Sequence, residues 1–219
     1  NLDMFKDIIQ EEISKKKHTK IEIAFVIDKY IRNKFIHGKT PGKIKLCENW
    51  FLYVILPYFP NDLKFAVNPK DIIKNSNAFC NQQSIIFQNI LNDYKIEYGS
   101  VRFFTPPKGH FAVAAKIKDE WYFFDSNEEA NYNIDNPAKL DDVMNGKNNI
   151  FKKLYGDKWF VDTLESGAKN SLIKLTDINS FPAKKALFFQ NFTKFISNWF
   201  WIFTMTLGFI LFKFNKKII

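Results

Sequence analysis

The run FISNWFWIFTMTLGFILF, Phe195 to Phe212, is eighteen residues long and carries no charged side chain. As a helix it would measure ~27 Å, close to the hydrocarbon thickness of a bilayer. No polar stripe interrupts it, which favours a transmembrane helix over a buried or interfacial amphipathic one. Lys184, Lys185 and Lys194 precede it, Lys213, Lys216 and Lys217 follow it, and Trp199 and Trp201 lie near one end, where an interfacial aromatic belt belongs. The lysines on the two sides balance and give no orientation. The first residue is Asn1 rather than Met, which favours a processed chain whose globular part is extracytoplasmic. The expected partition is a domain over residues 1–180, a linker over 181–194, the spanning helix over 195–212 and a basic tail over 213–219.

The 219 residues allow one ordinary domain besides that helix, and 46% hydrophobic and 17% aromatic content is enough to bury a core. The formal net charge is +9, almost all of the base is lysine interleaved with acids, and Arg32 and Arg102 are the only arginines. A nucleic-acid site concentrates its base, often as arginine, so the charge reads as a solvated lysine surface suited to an anionic membrane face. Nucleic acid is not an expected partner. Cys47 and Cys80, with His18, His37 and His110, give no zinc spacing and no disulfide framework. Glu128 and Glu129 do not form a calcium loop. No metal or cofactor is expected. His18 follows three lysines and reads as solvated, His37 as a helix-end residue, and Cys47 as core.

Apolar spacing predicts helices over NLDMFKDIIQEEISKKK and over KIEIAFVIDKYIRNKFIHG, the second stopped by Gly38. TPGK, Thr40 to Lys43, reads as a turn. Trp50–Phe59 packs and then breaks at its prolines, and Pro69 opens a short helix. Ser76 and Asn77 are candidate N-caps for a buried helix beginning near Cys80. EYGSVRFF reads as a strand, TPPKG as a loop, and Gly109–Asp125 as a hairpin turning near Lys118-Asp119. Beyond it, Leu140–Tyr155 reads as a helix interrupted at Gly146, and Lys158–Thr163 and Ser171–Leu175 as short strands.

The hairpin carries two polar residues among its apolar ones. Side chains alternate along a strand, so His110 shares a face with Ala112 and Ala114. A two-residue turn at Lys118-Asp119 sets Asp125 diagonal to His110; a turn at Ile117-Lys118 sets it directly opposite. Either even-length turn brings the two together, whereas a three-residue turn separates them. An aspartate beside a histidine fixes the imidazole tautomer and stabilises the imidazolium. Cys80 at a helix start meets the positive end of the dipole and free N–H groups, which activate a thiol and can hold an oxyanion.

The order Cys80, His110, Asp125, with the texts NAFCNQQSIIFQNILNDYKIEYGSVRFF and GHFAVAAKIKDEWYFFDSN, resembles the transglutaminase-like superfamily of cysteine enzymes over residues 20–130. In that family the Cys opens a helix and the His and Asp follow on adjacent strands. Many members carry glycine before the Cys; here Ala78-Phe79 stand there, leaving the Cys80 backbone amide free to serve. The resemblance implies an α+β, papain-like core, with the helix bearing Cys80 packed on an antiparallel sheet bearing His110 and Asp125. It implies Cys80 as nucleophile, His110 as base and acid, and Asp125 as orienter, acting on a peptide or amide substrate by hydrolysis in preference to acyl transfer. The alternative it leaves is an inactive module of the same fold that scaffolds a membrane complex. Membrane lipid, met through residues 195–212, is the other expected partner.

Overall fold

The computed structural model describes residues 1–36, 42–105 and 109–215. His37, Gly38, the first half of TPGK (residues 40–41) and the middle of TPPKG (residues 106–108) lie outside them. In chain order the helices α1 (Leu2–Ser14), α2 (Lys20–Lys34), α3 (Trp50–Ile55), α4 (Pro69–Ile72) and α5 (Cys80–Asp93) lead into strands β1 (Glu97–Phe103), β2 (His110–Ile117) and β3 (Glu120–Phe124). Helices α6 (Leu140–Asn145), α7 (Ile150–Tyr155) and α8 (Val161–Lys169), strand β4 (Ile173–Thr176) and the long helix α9 (Lys184–Asn215) complete it. The chain divides into two compact units, residues 1–42 with 69–182, and residues 43–68 with 183–219.

The first unit is a mixed α+β fold around a four-stranded antiparallel sheet in the order β3-β2-β1-β4. The β2–β3 hairpin closes through a two-residue turn, with Ile117 opposite Glu120 and Val113 opposite Phe124. Lys118 takes a φ of 57° to make that turn. The even count settles the parity in favour of the Lys118-Asp119 alternative, and His110 and Asp125 fall on one face.

Helices cover both faces of the sheet. On one, the Phe124 ring meets Phe25 of α2 at 5.2 Å and Phe87 of α5 at 5.4 Å, both edge-on. On the other, Ala112, Ala114 and Phe123 join Val101 and Phe103 against Leu140, Val143, Phe151 and Leu164 of α6–α8. This second layer contains a correction. Lys158–Thr163 is not a strand: the chain turns there and enters α8 at Val161. Val161, Leu164 and Ala168 are all buried, a helical spacing that a window ending at Thr163 cuts short. The next strand begins at Ile173, two residues later than Ser171.

Helix starts follow local chemistry. Thr19 and Glu22 form a capping box at α2. At α5 the N-cap is Phe79, not Ser76 or Asn77. The Gln82 carboxamide reaches back instead, accepting from the Phe79 N–H at 3.1 Å, and clasps Gly42 through both its N–H (3.1 Å) and its carbonyl (2.8 Å). Gly146 ends α6 with a φ of 62°, as its place in the interrupted helix predicts.

The second unit is α9 with residues 43–68 folded along its first half. Asn49 donates to the Thr193 hydroxyl at 2.8 Å, and the Trp50 indole donates to the Ser197 carbonyl at 3.0 Å. Gln190 donates to the carbonyls of Leu63 and Phe65, each at 2.8 Å, and accepts from the Val67 N–H. Cys47, expected in the core, is exposed here, because it sits in the short turn before α3 whose packing face is carried by Asn49 and Leu52. The helix already begins at Lys184, within the residues read as a linker. Its stretch Lys184–Leu211 is long and apolar enough to cross a membrane, and the most apolar eighteen residues of it are not buried.

Candidate active site

Cys80 is the first residue of α5, which lies on the Phe124 side of the sheet. His110 is the first residue of β2, and Asp125 directly follows β3. Helix start and strand ends therefore meet at one end of the sheet. His110 Nε2 lies 2.8 Å from Asp125 Oδ2, and Cys80 is near enough to the same imidazole to help hold it protonated. With Nε2 occupied by the carboxylate, Nδ1 is the nitrogen left for sulfur. Cys80 is partly exposed and Asp125 is buried. The three residues singled out from the sequence are thus brought together.

Asp125 is held by more than the histidine. Its Oδ1 accepts from the N–H groups of Asn127 and Glu128 at 3.2 and 3.3 Å, an Asx-type turn that ends the strand. Its Oδ2 also accepts from the Tyr155 hydroxyl at 2.6 Å. Burial works against charge on both members of the pair, but the pairing outweighs it: Asp125 is held below its ordinary value and His110 well above its own. Burial and the neighbouring Asp125 raise the Tyr155 hydroxyl well above the usual phenol range, so it remains a donor.

A second buried layer fixes the Asp125 backbone. The Asp125 N–H donates to the Tyr132 hydroxyl at 2.7 Å, and Arg32 donates to the carbonyls of Asp125 (3.3 Å) and Ala130 (3.1 Å). Arg32 pairs with Asp28 one turn back on α2 at 2.8 Å, and Ser126 donates to Asp28 at 2.6 Å. Asp28, Arg32, Tyr132 and Tyr155 did not stand out in the sequence. For Arg32 there was a signal: in a chain of lysines, an arginine one turn after an aspartate on the apolar face of a helix marks a buried ion pair. Arg102, the other arginine, likewise pairs with Asp177.

The Gln83 side chain, in the first turn of α5, donates to the Ala78 carbonyl at 3.1 Å. The His18 ring is only partly exposed, with Nδ1 buried, rather than fully solvated. Among the described residues no cluster of His, Cys, Asp or Glu could hold a metal ion.

The sequence profile described as a transglutaminase-like domain matches residues 6–147, which takes in Cys80, His110 and Asp125 and stops short of Tyr155. No curated sequence matches the chain. Among solved structures, the chain is similar to a candidate cysteine protease from Cytophaga hutchinsonii, at 16% identity and a TM-score of 0.38. That match covers 64% of this chain and 41% of the other, so the chain spans about two fifths of that protein's length.

Proposed function

The chain belongs to the transglutaminase-like domain family, and from that premise we propose that it is a membrane-anchored cysteine enzyme hydrolysing peptide or other amide bonds through Cys80, His110 and Asp125. The observation that carries this reading is the His110 imidazole 2.8 Å from a buried carboxylate, with the partly exposed Cys80 beside it at the start of α5. A sealed thiol would have favoured the inactive scaffold instead.

Cys80 transfers its proton to His110 Nδ1, and the thiolate attacks the substrate carbonyl. The N–H groups of Cys80, Asn81 and Gln82 precede the first intrahelical bond of α5, in which the Gln83 N–H donates to Phe79. The Cys80 N–H is the oxyanion donor among them, since Gln82 and Gln83 spend their side chains on the backbone. The C–N bond breaks as His110 returns the proton to the leaving amine. Water, deprotonated by His110, then attacks the thioester, releasing a carboxylic acid and regenerating the thiol. An amine in place of that water gives transfer by the same residues. Asp125 carries the imidazolium through both halves, and α9 holds the enzyme at the bilayer.

Turnover of a peptide-amide library and labelling by a thiol-directed amide-mimic probe test the reading in wild type, Cys80→Ala and His110→Ala. Both activities should be lost in both variants while circular dichroism shows an intact fold. Full turnover in Cys80→Ala ends the proposal. Iodoacetamide at about pH 6 adds a sharper test. Cys47 is the more exposed thiol, so accessibility alone favours it, whereas an activated thiolate makes Cys80 the faster to react.

A further inference from the structure

We propose that residues 43–68, clamped along the first half of α9, form a foot that rests in the interfacial layer of an anionic bilayer leaflet. This rests on the reading that α9 spans the membrane, and it concerns the second unit alone.

Charge is the first observation. Residues 43–68 and 183–194, on the foot's side of the span, hold six lysines against Glu48 and Asp62, a net +4 in 38 residues; Lys213, Lys216 and Lys217 follow the span and belong to the other side. No acidic residue follows Asp177. A surface so one-sided repels a second copy of itself and attracts anionic headgroups, each lysine near such a surface contributing about 1 kcal/mol.

Depth is the second. A span needs about 20 residues; counted back from Lys213, that places the membrane entry near Lys194. Helix α3 runs antiparallel to α9 at this level. The Trp50 indole donates to the Ser197 carbonyl, the Phe51 N–H donates to the Ser197 hydroxyl at 3.0 Å, and the Trp50 and Phe200 rings are 5.5 Å apart. Farther along, Phe59 meets Phe189 at 5.2 Å. The start of α3, and the turn Leu46–Glu48 before it, therefore lie beside the first turns of the span.

The clamp makes the placement binding. Asn49, Gln190 and Thr193 are buried polar residues that satisfy one another and the backbone, so the foot cannot leave α9 without exposing unpaired groups to an apolar setting. The foot leaves Leu46 (57%), Val54 (59%) and Tyr58 (84%) exposed. Apolar side chains with a tyrosine are what the interfacial layer accommodates.

The test uses the full chain in vesicles containing about 30 mol% phosphatidylglycerol. Cys80→Ala leaves Cys47 as the sole thiol for an environment-sensitive fluorophore, and nitroxide lipids report depth. A label carried by Met205→Cys, in the Cys47→Ser/Cys80→Ala background, reports the span. The expected result is strong quenching at position 205 by deep nitroxides and at Cys47 by shallow ones, at least about twofold at Cys47, falling when phosphatidylcholine replaces phosphatidylglycerol. Leu46→Asp with Tyr58→Asp, both at exposed positions, should abolish the Cys47 quenching and leave position 205 unchanged. Quenching at 205 with none at Cys47 overturns the foot and leaves the anchor standing. No quenching at 205 removes the anchor and the foot with it. Shielding of Cys47 that appears as cross-links between copies, without lipid quenching, assigns the surface to a second copy and overturns the proposal.

Discussion

The pairing of His110 with Asp125 has a sign that stability measurements can read. Asp125 has a folded pKa below its ordinary 3.8, so its contribution is present above that value and is lost as pH falls through the lowered one. His110 is raised well above 6.5, so its contribution is complete below 6.5 and disappears as pH rises through the raised value. Both shifts express one interaction and are counted once. Between about pH 4 and 6.5 the pair therefore gives a plateau, and above it stability declines. Asp125→Asn should remove the alkaline decline and lower the plateau; melting temperatures at about pH 5.5 and 8 measure both. An unchanged alkaline slope would mean that the pair does not form. Tyr155→Phe keeps the ring against Phe160 and deletes one donor to Oδ2. It should cost about 1–2 kcal/mol in denaturant titration. It also leaves the carboxylate more available to the imidazole, so the alkaline decline should move to higher pH. At this scale the site was half legible. Cys80, His110 and Asp125 announced themselves by order and strand parity. Tyr155 donates to the Asp125 carboxylate and Tyr132 accepts from its N–H, both from beyond its strand, and nothing in their local text marks either as a hydrogen-bonding group rather than core.

Elements were readable where one periodicity ran uninterrupted and misread where a short element began inside a polar stretch. The hairpin, the Cys80 helix and the break at Gly146 follow from alternation, helical spacing and a glycine. The start of α8 was hidden because Trp159 and Phe160, just before it, imitate a strand. Its helical period becomes visible only when Leu164 and Ala168 are added. The cap of α5 was missed because Gln82 supplies it from inside the helix, so the good N-cap residues Ser76 and Asn77 were decoys. Gly146 allows a test at this scale. Its φ of 62° is left-handed, and a Cβ there would sit 3.2 Å from the Ala168 Cβ of α8. Gly146→Ala should destabilise the fold by about 1–2 kcal/mol through backbone conformation alone, with some addition from the contact. Equilibrium denaturation measures the loss. Turnover per folded molecule should be unchanged, because Gly146 touches none of Cys80, His110 and Asp125.

At the scale of the whole molecule, the apolar run and the globular fold make different demands on solvent, and the chain meets them in separate segments. Residues beyond Ser197 on α9 are exposed almost throughout: Trp201, Phe203, Met205 and Phe209 all face outward. No helix or sheet among the described residues covers them, and a surface of that size is unstable in water. A bilayer satisfies it at the length available, since Lys194 to Lys213 spans roughly 28 Å at helical rise. Attachment by lysine alone would be released by salt, because headgroup attraction is screened over about 8–10 Å. Attachment by the apolar helix would not. The full chain should therefore stay with the membrane fraction through both high salt and alkaline carbonate. Phe203 is near the middle of the stretch from Lys194 to Lys213 and is exposed. Phe203→Lys places a charge there at about 3 kcal/mol on an insertion scale, and a second change, Leu207→Lys, about doubles it. The double variant should move to the carbonate-soluble fraction while keeping the unfolding transition of its globular unit. Release of the wild-type chain by salt alone would replace the spanning helix with an interfacial one and move α9 from anchor to surface contact.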